Sequence, residues 1–341
     1  MVAFRVDGNQ KIGMGHLMRC ISIAVEVKKT GKELCFLVTE DSDVERLREE
    51  GLPFVKIKPS EHSICASEDV LEWLSNNKVD VIFLDSYRVT PEDFTKLRQY
   101  AYLFYMDDLY AFNYDADAIV NYNLEATDER YGKKCTARLY LGPQYFPVRS
   151  EILEAPKHRS VEKIHNVLIS NGSTDSQKIT DGILSAMSPE KYPNIRFNCL
   201  LGKFFADEYC NSLKEKYADC KNVHWILWGQ DMGKIYSQMD LMIAPAATMI
   251  YEAFTVGVPC ISYVFCDNQI EQGSYMEDNK MAPYAGDIRY SADKVQQNIF
   301  KIFIKMENKA IRDQYYECFS QLFNGKGASR IAKLLLKEDV E

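Results

Sequence analysis

The sequence predicts an α/β protein of two doubly wound parallel sheets facing each other across a cleft. Three observations carry this prediction. Short apolar, β-branched runs bounded by turn residues alternate with amphipathic segments of about ten residues or more, the pattern of βα repeats. The alternation stops in a proline-bearing stretch and then starts again. The length of 341 residues exceeds one ordinary core and fits two domains of roughly 150 residues each.

In the first series the strand-like runs are Val2 to Val6, Glu33 to Val38, Pro53 to Ile57, Val79 to Leu84, Leu103 to Met106 and Ala118 to Val120. Helical periodicity falls between them at His16 to Lys28, Ser42 to Glu50, Ser67 to Asn76 and Pro91 to Tyr100. The piece from Leu141 to Val161 holds Pro143, Pro147 and Pro156 and lacks a clean period, so it reads as the interdomain connection. This sets one domain at 1–150 and a second at 151–341. The second series has strands near Val167 to Ser170, Ile195 to Leu201, Val223 to Ile226, Leu241 to Ala244 and Cys260 to Val264. Its helices are predicted at Ser176 to Met187, Ala206 to Tyr217, Asp231 to Gln238, Ala247 to Thr255 and Gln269 to Met276. The closing segment, Ala292 to Lys337, is helical nearly throughout and is assigned to the second domain. Both domains read as Rossmann-like, and open α/β sheets bind ligands beyond the C-terminal ends of their strands. The loops that follow strands are therefore where chemistry is sought.

Composition excludes several classes. A net charge of −8 disfavours the positive face that a nucleic-acid partner requires. Apolar stretches are broken by charges, Gly or Pro within a few residues, so no membrane insertion is expected. Met1 runs straight into a strand-like segment without a basic leader or apolar h-region, so a cytoplasmic location is expected. The ten cysteines are scattered, with no CxxC pair, and read as reduced thiols. Five histidines without a close His/Cys cluster point away from a metal site. No cofactor is expected, and the partner is a small molecule bound by a monomer.

The loop from Asp7 to Cys20, DGNQKIGMGHLMRC, joins strand one to helix one and sets Gly13 and Gly15 just before the helix. Small residues let backbone approach a ligand, and first-turn N–H groups with the helix dipole favour an anion. A tight turn needing positive φ is the alternative. His16 in the first helical turn is poorly explained as core filling, and an imidazole there can act as a general base; capping its own helix is its alternative. Arg19 shares the face of His16 and can reach a phosphate or a carboxylate; a surface ion pair is its alternative.

FLDSYR, Phe83 to Arg88, puts Asp85 and Tyr87 at the end of the fourth strand, where a tyrosine can orient a substrate hydroxyl or a water, or pack its ring in the core with its hydroxyl wet. Asp107 and Asp108 end the next strand, placed to bind sugar hydroxyls or to cap the following turn. In the second half, Asn171 and Gly172 open a small-residue loop whose free N–H groups can meet a pyrophosphate. Ala246, Ala247 and Thr248 form a second such turn, and Glu252 lies one helical turn beyond Thr248, where a carboxylate can accept from ribose hydroxyls or stand solvated.

Together these residues resemble a known family, the UDP-sugar hydrolases of pseudaminic acid biosynthesis. That family is similar to spore-coat polysaccharide proteins and has the GT-B architecture of the lipid II-forming N-acetylglucosaminyltransferase. The resemblance runs from Phe4 to about Gln269, and its most specific part is RVDGNQKIGMGHLMRC, which looks like R-x-D-x-x-x-x-I-G-x-G-H-x-x-R-C. Asp85 and Tyr87, Asp107 and Asp108, the L-G-P-x-Y ending at Tyr145, and Asn268 with Gln269 follow in the family's order.

The resemblance implies metal-independent hydrolysis of a UDP-linked 2,4-diacetamido-2,4,6-trideoxy hexose, with water displacing UDP and inverting the anomeric carbon. It implies His16 as base, and Tyr87 and Asn268 positioning sugar and water. Asp7 and Arg19 brace the loop or touch substrate, and with Gly13, Gly15, Asp85, Asp107, Asp108 and Gln269 they fall on the sugar side. Asn171, Gly172, Ala246, Ala247, Thr248 and Glu252 fall on the UDP side. A pyrophosphate is already a good leaving group, so one base with a helix-end anion site suffices, without the carboxylate pair of ordinary glycosidases. This chain has Asn171-Gly172-Ser173-Thr174-Asp175 where the family has a Gly-Gly-x-Asp loop, and Ala246-Ala247-Thr248 where a glycine-rich turn is usual. The same architecture also serves glycosyltransferases, non-hydrolysing UDP-sugar 2-epimerases and non-catalytic binding proteins.

Overall fold

Parallel strands covered on both faces carry apolar side chains in unbroken runs rather than in alternation, and the central strands of this chain do so. The computed structural model describes every residue except Gln10, Glu61, His62, Lys134, His158, Arg159 and 338–341. The motif's Gln10, and His158 and Arg159 of the predicted connection, thus lie outside the described residues. The chain divides into two units, Met1–Arg149 with Gly325–Glu341, and Ser150–Asn324.

In the first unit the strands are β1 (Val2–Val6), β2 (Leu34–Thr39), β3 (Phe54–Ile57), β4 (Val81–Asp85), β5 (Tyr102–Met106), β6 (Ala118–Asn121) and β7 (Arg138–Leu141). All pairings are parallel, in the order β3-β2-β1-β4-β5-β6-β7. The helices are α1 (Gly15–Lys29), α2 (Glu45–Glu49), α3 (Glu68–Asn76), α4 (Pro91–Leu97) and α5 (Asp128–Tyr131). The strand order reverses direction between β1 and β4, the switch point at which such sheets open for a ligand.

The second unit repeats the plan with β8 (Asn166–Ser170), β9 (Arg196–Leu201), β10 (Val223–Leu227), β11 (Leu241–Pro245), β12 (Cys260–Val264) and β13 (Tyr284–Asp287). These also pair in parallel, in the order β10-β9-β8-β11-β12-β13. The switch point here falls between β8 and β11. Its helices are α6 (Ser150–Glu154), α7 (Ile179–Met187), α8 (Asp207–Lys216), α9 (Met232–Ser237), α10 (Thr248–Val256), α11 (Ile270–Asp278), α12 (Ala292–Met306) and α13 (Lys309–Ser320). Helix α12 buries Val295, Ile299, Phe303 and Met306, one stripe at helical spacing. That stripe joins a core built from β8, β9, β11 and α7.

Two edge strands, β7 and β13, were absent from the sequence reading. Both are four residues long and mostly half-exposed, so neither presents the continuous apolar run of an inner strand.

The last helix, α14 (Gly327–Leu336), corrects the predicted domain division. It was expected over the second unit, but it packs on α1 and on the 3-10 turn Pro143–Tyr145 of the first. Gly327 permits the approach, since a Cβ there would meet the Phe146 carbonyl oxygen at 2.0 Å. Ala328, Ile331, Ala332 and Leu335 form its buried face. Truncating Leu335, 2% exposed, to Ala is expected to lower unfolding free energy by about 2–5 kcal/mol, read as a shifted urea midpoint.

Candidate active site

The loop between β1 and α1 is held from beneath. Arg5, wholly buried in β1, donates to an Asp7 oxygen at 2.9 Å and to the carbonyls of Leu37 and Ile64. The other Asp7 oxygen accepts from the Thr39 amide at 2.7 Å, the Thr39 hydroxyl and the Ser42 hydroxyl. Burial opposes the Asp7 charge, but Arg5 and the Thr39 donors outweigh it and hold the carboxyl below its usual range. Asp7 therefore braces the loop, with both oxygens engaged inside the protein.

Farther along, the Asn9 side-chain oxygen accepts from the amides of Lys11 and Ile12, and the Gly13 amide closes on the Asn9 carbonyl at 2.8 Å. Gly13 takes φ +81°, so the tight-turn alternative accounts for this glycine. Gly15 starts α1 with nothing within 4 Å of where a Cβ would stand. Met14 offers α1 no side-chain cap and the first turn holds no acid.

This loop delivers His16 and Arg19 to the first switch point, where Asp85 ends β4. The His16 Nδ1 lies 2.7 Å from Asp85 Oδ1. Arg19 grips the same carboxylate with two bonds of 2.6 Å, Nε to Oδ2 and Nη2 to Oδ1. Its Nη1 donates to Tyr122 at 2.6 Å and to Asp108 Oδ2 at 3.1 Å. Tyr87 donates to that Asp108 oxygen at 2.8 Å and stands edge-on to the His16 ring, centroids 4.4 Å apart. Tyr87 is about half exposed, whereas Asp108 Oδ1 is buried without a hydrogen-bond partner among the described residues.

These bonds assign the imidazole tautomer. The ionised carboxylate only accepts, and a lone pair on Nδ1 would face the carboxylate's own lone pairs at 2.7 Å, while Arg19 Nη2 lies 2.9 Å from the same nitrogen. The proton therefore sits on Nδ1, directed at Asp85, and Nε2 carries the lone pair. Burial opposes the Asp85 charge too, yet Arg19 first and His16 second hold its carboxyl well below the usual carboxylate range. A carboxyl lowered on folding stabilises the fold fully above its unfolded value, about 3.9, and that contribution is lost as pH falls below it. The stability gap between wild type and Asp85→Asn is accordingly expected to be full at pH 7 and to shrink below about pH 4, measured by urea unfolding at both.

Of the residues read as sugar-facing, the structure gathers His16, Arg19, Asp85, Tyr87 and Asp108 into one cluster. Arg19 and Asp85, however, are buried and bonded to one another and to His16, Tyr122 and Asp108. Asp107 is likewise internal: its oxygens accept from the amides of Leu109 and Tyr110 and the hydroxyls of Tyr114 and Tyr131, the turn-capping alternative. Tyr122 was missed. It follows β6 as Asp85 and Asp107 end β4 and β5, so the strand-end rule that found them also reaches it.

In the second unit the loop after β8 is closed by its own acid. Asp175 takes the Ile179 and Thr180 amides at 2.7 and 2.9 Å and the Tyr209 hydroxyl at 3.1 Å. The Ile179 and Thr180 amides at the start of α7 are thus already taken by a carboxylate, while in the loop itself the Gly172 amide lies 3.5 Å from the Ser170 hydroxyl. Asn171 is buried, bonded to Asp175, to Thr180 and to the Tyr263 hydroxyl, while Gly172 beside it has φ +80°.

The turn after β11 differs. Helix α10 has no side-chain cap from Ala247 and no acid in its first turn, and Thr248 is exposed. Ala246 is buried, its amide bonded to the Tyr263 carbonyl. Glu252 accepts from the Tyr236 hydroxyl at 3.2 Å. After β12, Gln269 is buried with its side-chain oxygen on the Phe265 amide, and exposed Asn268 accepts from the Cys266 thiol at 2.9 Å. Among the described residues no group of three or more His, Cys, Asp or Glu side chains is arranged to hold a metal ion, and no helix is long and apolar enough to cross a membrane.

No family model matches the chain. An uncharacterized protein of Methanocaldococcus jannaschii is 28% identical over 287 residues, 80% of this chain and 57% of that protein, so the chain spans little more than half of that relative. The spore coat polysaccharide biosynthesis protein SpsG of Bacillus subtilis is 22% identical, covering 98% of this chain and 97% of its own. A UDP-2,4-diacetamido-2,4,6-trideoxy-β-L-altropyranose hydrolase of Campylobacter jejuni is 20% identical over 81% of this chain and 95% of its own.

Among solved structures, Acinetobacter baumannii MurG superposes with a TM-score of 0.68 at 15% identity, covering 98% of this chain and 99% of its own. A putative UDP-N-acetylglucosamine 2-epimerase from Listeria monocytogenes gives 0.67 at 11% identity, covering 100% and 98%. The chain has the fold of these neighbours, two Rossmann-like parallel-sheet domains of the GT-B kind. Its curated relatives are distant ones at the family level.

Proposed function

We propose that the protein acts on a UDP-linked sugar and hydrolyses it, releasing UDP by attack of water on the anomeric carbon. The observation that carries this reading is the His16 imidazole, fixed through Nδ1 by a buried Asp85–Arg19 pair so that Nε2 is left to take a proton. In the proposed step the water oxygen bonds to the anomeric carbon as the bond to the UDP oxygen breaks with inversion. The water proton passes to Nε2, and the bonding pair leaves with UDP. Asp85 then faces an imidazolium whose charge it offsets. Tyr87 and Asn268 orient water and sugar, and Asp108 Oδ1 accepts from a sugar hydroxyl or amide.

The pyrophosphate is assigned to the uncapped start of α10 at Thr248, beside Ala246 and Ala247, whose own amides bond the Tyr263 and Pro245 carbonyls, rather than to the start of α7, where Asp175 holds the Ile179 and Thr180 amides. Glu252 is assigned to the ribose. The names of the Campylobacter and Bacillus relatives support a nucleotide-activated amino sugar bound for a surface glycan, and the first substrate to try is UDP-2,4-diacetamido-2,4,6-trideoxy-β-L-altropyranose. Incubation with the protein alone is expected to yield UDP and free sugar in equal amounts, followed by chromatography. UDP that appears only when an acceptor alcohol is added marks a glycosyltransferase, the second reading that the fold of MurG favours. UDP binding without release from this or related UDP-sugars rejects the hydrolase.

A further inference from the structure

We propose that the N-terminal edge of the second unit's sheet binds a phosphate-bearing small anion through Arg196, Lys221, His165 and His224. A cavity of about 450 Å³ opens there, at the opposite end of the strands from the switch point between β8 and β11. Its lining includes these four residues with Asn166 and Asn222, and holds no aspartate or glutamate, although the whole chain carries a net charge of −8.

Three neighbouring strands bring the cations together. Arg196 opens β9, and its amide bonds to the carbonyl of His165, just before β8. On its other side the Phe197 amide bonds to the carbonyl of Asn222, which follows Lys221 just before β10. Adjacent strands lie about 4.8 Å apart, so Arg196 and Lys221 stand one strand apart along this edge, with His165 one strand from Arg196 on the other side. Among the described residues neither Arg196 nor Lys221 forms an ion pair. Burial first and the nearby Arg196 charge second hold the His224 imidazole below its ordinary value.

The frame is rigid. Asn222 Nδ2 donates to the carbonyls of Pro189, Tyr192 and Ile195 at 2.9–3.0 Å, fixing one wall. The amides of His165 and Asn166 both bond to Asp240 Oδ2 at 2.8 Å, which engages that carboxylate beneath the strand start. A guanidinium, an ammonium and two imidazoles offer the many N–H donors that phosphate oxygens accept, and the volume suits a small molecule rather than a macromolecular surface.

The test uses inorganic pyrophosphate as probe, at fixed pH and with UDP saturating to block any nucleotide site. The chain has only five histidines, so their ring signals can be assigned and followed by NMR. Pyrophosphate is expected to move the His165 and His224 signals saturably, and an Arg196→Gln/Lys221→Gln double variant to bind it about tenfold more weakly or worse. Both substituted side chains are exposed, and a melting curve matching wild type in the absence of probe will show that the variant is folded. Absence of movement in these two signals, or movement of equal affinity in the folded double variant, overturns the proposal.

Discussion

Replacing His16 with Ala is expected to lower kcat for UDP release by about 10²–10⁴-fold, with UDP affinity, measured by calorimetry, close to that of wild type. In the first unit's cluster the imidazole is held through Nδ1 by Asp85, which leaves the Nε2 lone pair to take a proton. Removing it deletes proton acceptance and leaves α10, the proposed pyrophosphate site, untouched. Full turnover in His16→Ala would take this residue out of the reaction and leave the fold unaffected. A matching loss of UDP affinity would mean that the loop contributes to nucleotide binding rather than to the chemical step.

Asp85→Asn is expected to lower kcat by a similar 10²–10⁴-fold through a different route. The amide can present an N–H to His16 Nδ1, which moves the ring proton to Nε2 and removes the acceptor. The same change strips Arg19 of its bidentate carboxylate and leaves it with Asp108 and Tyr122, a loss of about 3–5 kcal/mol for a broken buried pair. A purely structural role for Asp85 predicts the stability loss alone. The distinguishing readout is therefore the ¹⁵N shift pattern of the His16 ring: the Nδ1-protonated form in wild type, the Nε2-protonated form in the variant. An unchanged tautomer with reduced kcat would reject positioning through His16.

The inner strands were legible because burial on both faces leaves an uninterrupted apolar signature, as in Val81–Asp85 or Leu241–Pro245. Edge strands β7 and β13 carry no such mark. They pair on one side only, and their half-wet residues look like loop. Among candidate site side chains, His16, Tyr87 and Asp108 are expected from their places after strands and the structure gathers them, but pairing was not readable. Nothing in the spacing of Arg19 and Asp85, 66 residues apart, says that they bind each other, because their meeting depends on β1 and β4 being neighbours in the sheet. The same holds for Asp175, whose carboxylate satisfies the helix start that its loop was expected to leave open. Local sequence shows that a helix begins; only the folded loop shows what already occupies its amides.

The docking of α14 on α1 also orders events during synthesis. The helix that carries His16 and Arg19 emerges early, yet the surface it shares with Ile331 and Leu335 stays uncovered until the whole second unit has been translated. A nascent chain can thus complete the second unit's core before the first is closed, and the helix carrying His16 acquires its final support last. Chaperone contact, if the chain needs it, is expected on that waiting apolar face of α1.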